Sequence, residues 1–126
     1  MTPEIEALAR RAVACPRWRW MPGMRWIDNR PSPLEPIALR VADIRPRDGW
    51  DVPPYVLPDL TDPATLGCLL ALVREAWWDP YLAATRERVG DWIVASRLCD
   101  AMLARGRYFR GATEAEALIV ALEAAP

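Results

Sequence analysis

The chain has 126 residues, 52% of them hydrophobic, and a net charge of −1 from sixteen basic and seventeen acidic side chains, with no histidine. That is one domain's length with enough apolar matter for its own core, so a disordered chain is excluded and a single domain over residues 1–126 is expected. The near-neutral balance excludes a general duplex-nucleic-acid binder, and no apolar run approaches the ~20 residues of a membrane helix, the longest ending at Arg74.

Thr2-Pro3-Glu4 opens the first predicted helix, with Thr2 as N-cap, Pro3 at the first helical position and Glu4 at the positive end of the dipole. Ile5, Leu8, Ala9 and Ala12 follow at the spacing of one buried face, and Pro16 ends the helix by about Ala14. The acidic start lacks the basic stretch and apolar run of a secretion leader. A cytoplasmic protein is therefore expected, with Cys15, Cys68 and Cys99 as reduced thiols buried as small apolar groups.

Arg17 to Asp28 reads as two short strands around Met21-Pro22-Gly23-Met24, which carries the Pro-Gly centre of a type II turn. Asn29 to Pro36 is a loop, Ile37 to Arg45 a strand, and Pro46 to Leu60 a second proline-rich loop. Asp62-Pro63 starts a helix that runs to about Trp77 and is stopped by Asp79-Pro80. Its interior, Leu66 to Val73, is apolar nearly all round, which asks for cover on more than one side and leads us to expect a homo-oligomer.

A hairpin is expected from Ala84 to Val89 and Trp92 to Leu98 around Gly90-Asp91, with Trp92, Val94 and Ser96 on one face. Cys99 to Ala104 reads as a helical turn or a loop, and Arg107 to Arg110 as a strand that Gly111 breaks. Thr113 and Glu116 form a capping box, each reaching the other's backbone N–H, for a last helix that buries Leu118, Ala121 and Leu122. The order helix-strands-helix-strands-helix predicts an α+β fold, three helices packed on a mainly antiparallel sheet.

Enzyme templates fail by absence. Without histidine there is no Ser-His-Asp or Cys-His pair and no zinc site, and neither GxxxxGK[ST] nor GxGxxG occurs. Capping accounts for Asp62, Glu114 and Glu116. A non-enzymatic protein without cofactor or metal is expected, a site of Asp and Glu holding a metal being the one catalytic form left open.

All sixteen basic residues are Arg, a composition that GC-rich coding favours and that supplies planar five-donor forks. The segment Arg17-Trp18-Arg19-Trp20-Met21-Pro22-Gly23-Met24-Arg25-Trp26 concentrates them with indoles. Were its two strands paired, Trp18, Trp20, Arg25 and Ile27 would share a core face, and Arg17, Arg19, Met21, Met24 and Trp26 the other. That second face is a candidate ligand platform, with guanidinium forks for phosphate and Trp26 stacking on a base. The same residues also admit a purely structural arrangement, Arg17 paired with Asp28 and Arg19 lying on Trp26. Tyr108 and Arg110, outward if Phe109 points to the core, are a second candidate.

Three stretches, ACPRWRWMPGM (Ala14 to Met24), LPDLTDPATLGCLLALVREAW (Leu57 to Trp77) and TEAEALIVALEAAP (Thr113 to Pro126), resemble a set of small proteins of phage and prophage genomes. That family carries no established activity, so the likeness transfers no site residue. It implies a viral accessory protein in a bacterial cytoplasm, a class that often acts by binding. The resulting expectation is an anti-defence sponge that sequesters a small anionic ligand such as a nucleotide immune signal, through Arg17, Arg19, Met21, Trp26, Tyr108 and Arg110. The alternative is a protein–protein inhibitor or adaptor acting on a host protein, since Trp and Arg also dominate interface hot spots.

Overall fold

The computed structural model describes residues 1–30, 38–40, 53, 55–87, 90–96 and 108–126, with the backbone alone for 38–40. Helix α1 spans Pro3–Ala14; the Thr2 hydroxyl accepts from the Ile5 N–H, and Ala9 and Ala12 are buried. Helix α2 spans Pro63–Ala76 from its Asp62 N-cap, and α3 spans Glu114–Glu123 from Thr113. The strands are β1 (Arg25–Asp28), β2 (Ala38–Arg40), β3 (Val56–Pro58), β4 (Leu82–Arg86), β5 (Trp92–Ser96) and β6 (Tyr108–Gly111). The fold is α+β in the expected order.

The strands form two antiparallel sheets of three, ordered β2-β1-β3 and β4-β5-β6, where a single sheet was expected. In the first, Trp26 lies opposite Leu39 on one side and Pro58 on the other. Both edges of β1 are therefore occupied, and no edge is left for a strand from Arg17 to Met21. The expected turn does form: the Met24 N–H donates to the Met21 carbonyl at 3.1 Å and Gly23 takes a φ of +98°. A type II turn does not match the twist of paired strands, so the chain before it runs as a loop.

β3 lies inside the stretch read as a loop, with Val56 and Leu57 buried. Pro58 closes that strand, a position where its missing N–H is tolerated. Of the strand expected over 37–45, residues 38–40 form β2 and the rest lies outside the described residues, as does the segment 99–104.

In the second sheet, β4 and β5 pair from Leu82–Ser96 to Arg86–Trp92, so the hairpin begins two residues earlier than its pattern suggests. Glu87 N–H to Asp91 carbonyl at 2.8 Å closes the loop. β6 adds to β5 with Phe109 turned into the core, and Gly111 belongs to the strand rather than breaking it.

One contiguous buried cluster joins Ala9 and Ala12 of α1, Met24, Leu57, the inner face of α2, Leu82, Val94, Phe109 and most of α3. α3 contacts α1, α2, β4, β5 and β6, and Ala115, Ala117, Leu118, Ile119, Ala121 and Leu122 are all buried. Helix α2 buries one stripe, Thr65, Leu69, Leu72, Val73 and Ala76, and leaves Ala64, Gly67, Ala71 and Glu75 exposed. The more deeply buried helix is thus α3, whose remaining open stripe is Glu116, Val120 and Glu123.

The capping box is half as expected: Glu116 N–H donates to the Thr113 hydroxyl at 3.1 Å, but the Glu116 carboxylate accepts from the Ala112 N–H at 2.8 Å. Cys15 is buried with its thiol toward the Leu122 carbonyl. Cys68 is only half-buried, with its thiol toward the Pro22 carbonyl, and Cys99 lies outside the described residues.

Thr65 ties α2 to the first sheet. Its fully buried hydroxyl accepts from the Arg25 N–H at 2.8 Å and donates to the Asp62 N-cap carboxylate at 3.0 Å. Replacing it by the isosteric Val should cost about 2 kcal/mol, because the Arg25 N–H would be left without its acceptor. Urea unfolding measures this, and a loss below about 0.5 kcal/mol would contradict the assignment.

Candidate functional site

The loop after α1 sets the site. The α1 C-cap, Cys15, donates its N–H back to Ala12, and Trp18 N–H donates to Cys15 at 3.0 Å, turning the chain across the end of α2. Trp18 and Trp20 meet edge to face, centroids 5.5 Å apart, and both lie half-buried against the core. With the indoles turned inward, Arg17 and Arg19 stay on the surface.

Arg19 forms a two-point fork with Glu75 of α2, Nη1 to Oε1 at 2.8 Å and Nη2 to Oε2 at 2.7 Å. That fork holds the Glu75 carboxyl below its ordinary range, with the charges of Arg19 and Arg17 adding to the effect, and raises the Arg19 guanidinium further. The pair is complete at neutral pH and is lost only as pH falls through the lowered Glu75 value. Arg17 donates to the Pro126 carbonyl.

Arg17, Trp18, Arg19 and Glu75, with Pro16, Leu72 and Ala76, line an open pocket of about 250 Å³. The Trp18 indole nitrogen is buried and meets no acceptor among the described residues. A second, shallower cavity of about 430 Å³ is lined by Ala71, Arg74, Glu75, Trp78 and Pro80. Glu75 thus lines both.

Trp78 is the residue that sequence reasoning missed. It is 89% exposed, more than any other large apolar side chain among the described residues. It sits just past α2 at φ +53°, where Trp78 N–H bonds the Glu75 carbonyl and Asp79 N–H the Arg74 carbonyl. This is the helix-ending position that Gly usually fills, and a side chain there costs roughly 1 kcal/mol. The preceding Trp77 is conventional: its ring lies 5.4 Å from Phe109 and its N–H donates to the Ala121 carbonyl at 2.8 Å. The available signal was the doublet itself, since a helix ending before Asp79-Pro80 can turn only one of two successive indoles inward.

The other expected site residues fall elsewhere. Met24 is fully buried, and Met21 and Trp26 are half-buried against the core, so the shared outer face with Arg17 and Arg19 does not exist. The alternative pairs are likewise replaced, since Asp28 binds Arg30, which in turn lies 4.1 Å over the Tyr55 ring, and Arg19 binds Glu75. The cause is the missing strand: cross-strand neighbours require a partner segment, and β1 has two others.

Tyr108 and Arg110 do point outward, on the second sheet. There the Tyr108 hydroxyl donates to Glu87 at 2.7 Å and accepts from Arg110 at 2.8 Å, and Arg110 also approaches Asp91 at 4.0 Å. Their guanidinium is matched by two carboxylates, and they do not line the cavity that Arg17 and Arg19 share.

Burial pushes the Cys68 thiol up, with Asp62 adding to it, so it is a poor nucleophile at neutral pH. Among the described residues no three Cys, Asp or Glu side chains cluster to hold a metal, and no helix is long and apolar enough to cross a membrane. Comparison with protein-family models, with curated proteins and with solved structures found no match to this chain.

Proposed function

We propose that this chain is a binding protein that sequesters a small anionic ligand, a nucleotide signal being the ligand that its groups suit best. The guanidiniums of Arg17 and Arg19 take the anionic group, and the face of Trp78, in place of Trp26, takes the planar ring. The observation that carries this reading is Trp78, held nearly bare in a costly backbone conformation, in a cavity that shares Glu75 with a pocket lined by two arginines. A large apolar side chain that neither packs nor relieves strain is explained by what it contacts.

In the setting that the sequence resemblance implies, the protein is phage-encoded and acts in the host cytoplasm against a defence signal. Subunits then associate through the open face of α2, where Ala64, Gly67 and Ala71 allow close approach.

Calorimetric titration of a panel of mono-, di- and cyclic nucleotides tests the site. Losing a stacked base is worth ~1–3 kcal/mol and losing a charged hydrogen bond ~1.5–3 kcal/mol. Trp78→Gly and Arg19→Ala should therefore each weaken the bound nucleotide at least tenfold. Trp78→Gly should do so with an unchanged or higher melting temperature, because Gly suits that φ. Equal affinity in both variants would remove the site, and native mass spectrometry would report subunit number and any retained ligand together.

A second reading, a host-protein adaptor, draws on one further observation. Tyr81 is 52% exposed close to Trp78 in the chain, and Trp, Tyr and Arg are the common hot-spot residues of protein interfaces. A stoichiometric protein recovered from host lysate and lost with Trp78→Gly favours the adaptor, whereas released compounds absorbing near 260 nm favour the sponge.

A further inference from the structure

We infer that Glu75 is a resident carboxylate that occupies the oxyanion position of the Arg17–Arg19 pocket and is displaced when ligand binds. The inference rests on the anion-binding reading and assigns that site its means of control.

Three observations converge on it. First, the Arg19–Glu75 contact is a planar two-point fork, the geometry in which a guanidinium grips a carboxylate or a phosphate. Glu75 therefore already makes the contact a ligand oxyanion would make. Second, its side chain is 60% exposed, so leaving the pocket disturbs no core packing. It also lines the neighbouring cavity with Arg74, whose Nε is engaged by the Leu82 carbonyl at 2.7 Å, so a second cation lies on the side to which the carboxylate can turn. Third, the pocket holds a cation beyond the one Glu75 grips: Arg17 lines it too, with only its Nη2 engaged among the described residues, by the Pro126 carbonyl.

The ligand chemistry that fits is an oxyanion with several acceptor oxygens, either phosphate or carboxylate. An exchange of one anion for another on the same guanidinium keeps Arg19 paired throughout. Affinity is then set by competition, and a ligand with a single weak oxyanion is rejected.

The experiment is calorimetric titration of pyrophosphate and, separately, succinate into the wild-type chain, Glu75→Gln and Arg19→Ala, with circular dichroism confirming that each is folded. Glu75→Gln keeps the side chain's size and removes its charge. It should bind pyrophosphate, succinate or both at least fivefold more tightly than wild type, and Arg19→Ala should bind the same anion at least tenfold more weakly. Tighter binding of pyrophosphate but not succinate identifies phosphate as the source, and the reverse identifies carboxylate; either supports the exchange. If the wild type binds, Arg19→Ala weakens it and Glu75→Gln is unchanged or weaker, Glu75 only positions Arg19, and the exchange is overturned while the anion site stands. If neither wild type nor Glu75→Gln binds either anion, the anion reading falls and the exchange with it.

Discussion

Gly111→Ala should unfold this protein at a markedly lower temperature. Gly111 is buried in β6 where the strand meets the first turn of α3, and a Cβ there would lie 2.4 Å from the Ala117 nitrogen and 2.8 Å from the Glu116 carbonyl carbon. Both are backbone atoms of a helix that is itself packed on five other elements, so neither can swing aside as a side-chain tip could. Overpacking a core usually costs ~1–3 kcal/mol, and a clash against fixed backbone belongs at the upper end, about 3 kcal/mol. For a chain of this size that is a fall in Tm on the order of 10 °C. Gly67→Ala is the matched control: nothing lies within 4 Å of its added Cβ on the exposed face of α2, and helix propensity alone should raise stability by ~0.5–1 kcal/mol. A drop for Gly111→Ala no larger than 1 kcal/mol would mean that β6 and α3 are not in contact as described.

Leu118→Ala tests which helix is the centre of the core. Leu118 has no exposed surface and sits in the helix that both sheets' neighbours pack around. Removing a leucine from such a site costs the transfer free energy and the cavity left behind, together ~2–5 kcal/mol. Leu70 on α2 is only half-buried, so Leu70→Ala should cost less than half as much. Equal losses at the two positions, measured by urea unfolding, would move the centre of the core to α2.

That comparison also shows where apolar patterning stops being informative. The run Leu66 to Val73 reads as a helix without a polar face, and an uncovered face was the reason to expect a second subunit. In the fold, the exposed positions of α2 after Pro63 are Ala64, Gly67 and Ala71, whose side chains are small, and the charged Glu75, so little apolar surface is left in water. Residue size, rather than residue class, marked the open side.

The candidate site was legible in part for the same kind of reason. Arg17 and Arg19 reach one pocket because their long polar ends stay in water wherever the backbone runs. Trp26 could not be placed, because its exposure depended on which strands flank β1, and those come from residues 38–40 and 56–58, well downstream. Trp78 was hidden because a helix-ending position is a matter of one backbone angle.

What the sequence determined alone is whatever local chemistry dictates: the Thr2, Asp62 and Thr113 caps with their helices, the Pro22-Gly23 turn and the hairpin at Gly90-Asp91. These depend on neighbours a few residues away, whose hydrogen bonds and dihedral preferences act before any long-range contact forms. Only the tertiary structure decided the division into two sheets, the deeper burial of α3, the need for Gly111 and the meeting of Arg17, Arg19 and Glu75. Those depend on which distant segment occupies each strand edge and each helix face, and such competition is resolved by packing the whole chain at once.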